Sequence, residues 1–110
     1  EAAAGGLEVR DLAGRWHAAP VVEDGFIVNI GDLLMRWTND RFVSTLHRVV
    51  NPPAEAVSSS RLSIAYFVAP NYDAVIECLP TCAGPGRPAK YPPVTVAGYR
   101  NERFARTAAA

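Results

Sequence analysis

The sequence predicts a mostly-β chain that makes up part of a sandwich or barrel, with one short internal helix and one C-terminal helix. Three observations carry this. Several segments are rich in β-branched and aromatic residues and are bounded by Gly, Pro, Asn and Asp. The tally of four to six short strands is about half of the eight that a jelly roll needs to protect its edges. The chain has 110 residues, enough for at most one domain.

Leu7 to Asp11 alternates apolar and polar after the Gly5-Gly6 turn and reads as a short strand. Gly14-Arg15-Trp16-His17 supplies its hairpin partner or loop. Phe26 to Ile30 is the strongest strand signal in the chain. Gly31-Asp32 breaks it, and Asp32 is a good N-cap for a short helix over Leu33 to Trp37, closed by Thr38-Asn39-Asp40. Phe42 to Val50 reads as a strand ended by Asn51-Pro52-Pro53, because proline cannot donate to a ladder. Arg61 to Val68 reads as another, with Leu62, Ile64, Tyr66 and Val68 on an apolar face that should meet a core. Ala74 to Leu79 forms a last short strand. Pro85, Pro88, Pro92 and Pro93 mark an irregular surface segment, and Thr95 caps a helix running through Arg106. The core spans about residues 6–80, followed by the proline-rich loop and terminal helix over 81–106.

Composition narrows the function classes. Eleven basic residues balance eleven acidic ones, which leaves no electrostatic footprint for nucleic acid or an anionic membrane surface. No apolar run approaches the roughly 20 residues that span a bilayer. Cys78 and Cys82 make no disulfide framework and have no His partner for a tetrahedral metal site, so they read as free thiols in a reducing, cytoplasmic setting.

The chemistry is concentrated in two places. His47 lies in a strand-like run, and Arg61 and Ser63 follow 14 residues later at i and i+2. In an extended strand those two side chains share a face, roughly 7 Å apart. A guanidinium fork beside a hydroxyl suits a carboxylate. An imidazole plus a carboxylate clamp suggests a metal site served by a small acidic cosubstrate. The plainer reading makes His47 a partly buried histidine bonded to backbone, and Arg61 and Ser63 an ordinary solvated strand end. Phe67 is a candidate pocket wall. His17, beside a presumed turn with no carboxylate at i+2, reads as a surface residue.

Three ordered segments make the sequence recognisable: Val28-Asn-Ile-Gly-Asp-Leu-Leu-Met-Arg-Trp-Thr-Asn39, Ser44-Thr-Leu-His-Arg-Val-Val-Asn-Pro52 and Arg61-Leu-Ser-Ile-Ala-Tyr-Phe67. The chain resembles the iron(II)- and 2-oxoglutarate-dependent dioxygenases, specifically the isopenicillin N synthase-like group, over nearly its whole length. The resemblance implies a partial double-stranded β-helix (a jelly roll) with Fe(II) as metal and 2-oxoglutarate as cosubstrate. It places His47 as the distal iron ligand, and Arg61 and Ser63 on the distal carboxylate of 2-oxoglutarate. It implies a small-molecule substrate and dioxygen as partners. The family's other two iron ligands, a His-x-Asp pair, precede the Gly6-Leu7-Glu8-Val9 strand, and neither His17 nor His47 has an acid at i+2. The chain is therefore expected to be the C-terminal part of such an enzyme and inactive alone. The alternative is a non-catalytic half-barrel binding or interaction module that dimerises through open sheet edges.

Overall fold

The computed structural model describes residues 6–20, 22–51 and 63–109. Among them are five short strands, two α-helices and a 3-10 turn, in the order β1 (Leu7–Arg10), β2 (Trp16–Ala18), α1 (Asp32–Trp37), β3 (His47–Val49), β4 (Val75–Ile76), the 3-10 turn Pro80–Cys82, β5 (Val94–Thr95) and α2 (Val96–Ala108). The chain divides into two compact units, one of residues 1–29 and 45–66, the other of residues 30–44 and 67–110.

The first unit is built on a three-stranded antiparallel sheet in the order β2-β1-β3. The β1–β2 hairpin closes where Asp11 N–H donates to Arg15 O at 2.8 Å and Gly14 N–H to Asp11 O at 3.0 Å. Gly14 takes φ +84, and a Cβ there would meet the Arg10 guanidinium at 3.2 Å, so the turn requires glycine. The ladder to β3 is extended at both ends, by Arg10 N–H on Leu46 O and Val50 N–H on Gly6 O.

Strand alternation separates two faces. Glu8, Arg10, Trp16, Ala18 and Arg48 share one. There Arg48 pairs with Glu8 at 2.7 Å and stacks over the Trp16 ring at 4.1 Å, so the polar groups of this face satisfy one another. Leu7, Val9, His17, His47 and Val49 share the other.

The second unit holds the buried residues. Ile76, Val96 and Cys82 are its apolar centre, and Thr38 and Asn39 are the buried polar pair. The two-stranded sheet β4–β5 leads directly into α2, whose Thr95 Oγ1 accepts from Gly98 N–H at 3.1 Å, the cap expected from sequence. Asn39 and Asp40 take consecutive left-handed conformations at φ 52 and 63, which Asn and Asp tolerate better than other residues with a Cβ. They end α1 and hold the proline-rich segment. Asn39 Nδ2 donates to Cys82 O at 3.2 Å and Pro88 O at 3.1 Å, Asn39 Oδ1 accepts from Lys90 N–H at 3.0 Å, and Arg87 donates to Asn39 O at 2.6 Å.

Several expectations differ from this arrangement. Asp32 is the first residue of α1, not its cap. Gly31 occupies the cap position without a side-chain bond, and the Asp32 carboxylate instead accepts from Tyr99 OH at 2.8 Å and pairs with Arg103 at 3.4 Å. The strand expected over Phe42 to Val50 shrinks to His47–Val49. Its first half is drawn to the end of α1, where Phe42 N–H donates to Thr38 Oγ1 and Ser44 N–H reaches Met35 Sδ. Phe26 to Ile30 forms no ladder, and neither do residues 63–68. The face expected to meet a core is solvated, with Ile64 83% and Tyr66 89% exposed. Strand propensity expresses packing against neighbours, and neither segment pairs among the described residues.

Candidate functional site

His47 is the first residue of β3 and the register partner of Val9 in β1. Its ring is exposed. Nδ1 lies 3.3 Å from Thr45 O, so the carbonyl accepts from an Nδ1–H, and in the neutral ring that leaves the lone pair on Nε2. That is the arrangement of a metal-binding imidazole, in which a backbone carbonyl fixes tautomer and ring orientation. Leu46 O is tied to Arg10 N–H, which steadies the residue before it.

The other predicted site residues are distributed differently. Arg61 lies outside the described residues. Ser63 is exposed and carries no ladder, so the strand geometry that was to align it with Arg61 is not formed over the described part of that segment. Phe67 is 87% exposed and falls in the second compact unit. Among the described residues no group of three or more His, Cys, Asp or Glu side chains is placed to hold a metal ion. His47 thus fits the role of one ligand, and the described residues do not complete a coordination set.

Sequence reasoning missed one feature of this sheet. His17 Nε2 lies 2.8 Å from Asp11 Oδ2, and Arg15 donates to the same carboxylate through its backbone N–H and Nε, each at 2.9 Å. The hydrogen bonds from His17 and Arg15 hold the Asp11 carboxyl down at about 2. The partner acid is six residues upstream, across the hairpin turn, so a search at i+2 could not find it; strand pairing could.

No helix among the described residues is long and apolar enough to cross a membrane. Cys78 and Cys82 are free thiols, as expected.

Comparisons with known proteins agree with one another. The sequence model of the 2OG-Fe(II) oxygenase superfamily matches residues 1–70. The 2-oxoglutarate-Fe(II) type oxidoreductase hxnY of Emericella nidulans is 44% identical over 92 residues, which cover 83% of this chain and 25% of that protein. Kihadalactone A synthase LFS of Citrus sinensis is 44% identical over 94 residues, covering 86% and 26%. Among solved structures, a 2OG-Fe(II) oxygenase family protein from Caulobacter crescentus matches with TM-score 0.88 and 36% identity over 97% of this chain and 35% of its own. A full-length Neurospora crassa protein solved in complex with alpha-KG matches with TM-score 0.75 and 36% identity over 92% and 31%. The chain thus spans about a quarter of the length of these curated relatives, 25% and 26%. The family's cofactors are Fe(II) and 2-oxoglutarate. On the matched residues and the identities, this chain belongs to the 2OG-Fe(II) oxygenase superfamily.

Proposed function

We propose that the chain is part of the catalytic domain of an isopenicillin N synthase-like, Fe(II)- and 2-oxoglutarate-dependent dioxygenase that oxidises a small organic molecule. The fold it contributes is a partial double-stranded β-helix. The observation that carries the reading is His47, set on a paired strand with Nδ1 on a backbone carbonyl and Nε2 left to bind. His47 supplies one metal ligand. Arg61 and Ser63 grip the distal carboxylate of 2-oxoglutarate, the fork giving two parallel charge-assisted bonds and the hydroxyl a third. Phe67 contributes to the substrate pocket. Iron and 2-oxoglutarate together supply the family's chemistry, oxidative decarboxylation to succinate coupled to oxidation of the substrate.

Among the described residues the polypeptide supplies one ligand of this kind, and metal affinity requires several deprotonated ligands in fixed geometry. Alone it is expected to release no succinate from 2-oxoglutarate. In the intact enzyme, His47→Ala is expected to abolish metal retention. Metal affinity equal to the parent's would remove His47 from the coordination set.

A second reading has its own support. Phe26, Val28, Ile64 and Tyr66 are each more than four-fifths exposed, with relative exposures of 96%, 83%, 83% and 89%. As an isolated polypeptide the chain would then self-associate through these segments rather than catalyse. A concentration-independent monomer in size-exclusion chromatography counts against this reading.

A further inference from the structure

The sheet face that carries His47 carries a second imidazole. β1 lies between β2 and β3, and Val9 is the register partner of both His17 and His47. Directly opposed residues in an antiparallel ladder project to the same side. His17, Val9 and His47 therefore form one row across the sheet, and two strand spacings separate the imidazole-bearing backbones by roughly 10 Å.

His17 is half exposed on this face, at 53%. Its Nε2 lies 2.8 Å from Asp11 Oδ2. An ionised carboxylate only accepts, so Nε2 carries the proton, and whenever the ring is neutral Nδ1 is the acceptor. Closing the hairpin does not explain this imidazole. Arg15 already binds both carboxylate oxygens of Asp11, and Asp11 N–H already bonds Arg15 O. The opposite face, by contrast, uses its polar groups on one another: Arg48 pairs with Glu8 and stacks on Trp16.

We propose that His17, oriented by Asp11, is a substrate-binding residue that accepts a hydrogen bond from an N–H or O–H group of the organic substrate. The distance along the row selects molecules about the size of a fused two-ring system, long enough to bridge the His17 and His47 ends. This inference rests on the reading of His47 as a metal ligand, because that reading makes the shared face the reacting one.

The test uses the intact enzyme with Mn(II) in place of Fe(II), 2-oxoglutarate, and matched probes titrated at equilibrium. The pairs are 2-naphthol against 2-methoxynaphthalene and indole against N-methylindole. In each, the second member has lost its donor. The donor-bearing member is expected to bind about tenfold tighter, the worth of one hydrogen bond. His17→Ala should erase that difference while retaining Mn(II) affinity, and His17→Gln, whose Oε1 still accepts, should keep part of it. Equal binding of both members, binding of neither, or a preference that survives His17→Ala overturns the proposal. Mn(II) affinity in His47→Ala is read in parallel. Its retention overturns the metal reading, whereas its loss together with an unchanged His17→Ala preference overturns only the role of His17.

Discussion

Asn39 is 4% exposed, and its amide and carbonyl together meet four groups from the segment 82–90. Asn39→Ala strands the carbonyl of the buried Cys82 and leaves a Cβ residue in a left-handed conformation without the local bonds that offset it. The expected loss is on the order of 3 kcal/mol, read as a lower urea midpoint at unchanged slope. Arg61 has a different job, carrying the cosubstrate clamp in the proposed function. Arg61→Lys keeps the charge and loses the fork, so 2-oxoglutarate affinity should fall by about 1–3 kcal/mol. Unchanged affinity in calorimetric titration would remove Arg61 from the clamp. The role proposed for Arg61 rests on the chemistry of a guanidinium beside a hydroxyl, a pattern that sequence displays directly. The work of Asn39 lies in contacts 43 to 51 residues away in the chain, which no local pattern encodes.

Among the elements, those whose signals are local emerged as expected. The Leu7–Arg10 strand, its hairpin return, the helix after Gly31 and the Thr95-capped helix are all fixed by turns, caps and short-range periodicity. Thr95→Ala should therefore cost about 1 kcal/mol of stability and fray the first turn of α2. Amide exchange at Gly98, the donor to Thr95 Oγ1, is the measurement, and protection there equal to the parent's would show that the cap contributes nothing. Elements that depend on a partner strand were the ones overestimated. Phe26 to Ile30 has the best β composition in the chain and forms no ladder, because composition can supply a surface to pack but not a neighbour to pack it on. β4 and β5, only two residues each, form because they meet each other beside the buried Ile76 and Val96. Asp32 shows the same override at a helix end, since Tyr99 and Arg103 of α2 take the carboxylate that a local rule would assign to a cap.

Across the whole molecule, net charge is zero, so its pH response is set by individual carboxylates rather than by overall repulsion. Three of them are held below their ordinary value of 3.8. Asp11 is lowered to about 2 by hydrogen bonds from His17 and Arg15. At Asp32, partial burial pushes the carboxyl up, but the hydroxyls of Ser44 and Tyr99 and the charges of Arg103 and Arg36 outweigh it. Asp40 is lowered by Lys90 and then by Tyr91. A carboxylate depressed in the folded state binds fewer protons there than in the unfolded chain. Its contribution is complete above the unfolded value and drains away as pH falls through that value towards the folded one. The urea midpoint of the intact protein should accordingly gain nothing from these groups between pH 7 and 5, and should drop from about pH 4 downwards. Asp32→Asn removes one titrating group, so it should lower the midpoint at pH 7 and make the decline below about pH 4 shallower. Asp11 belongs to the same acid-sensitive set and also orients His17, so acidification towards its folded value should release the ring from the hydrogen bond that holds it. If the midpoint instead rises on going from pH 5 to pH 3, these carboxylates are not paired in the folded protein as described, and the orientation of His17 by Asp11 fails with them.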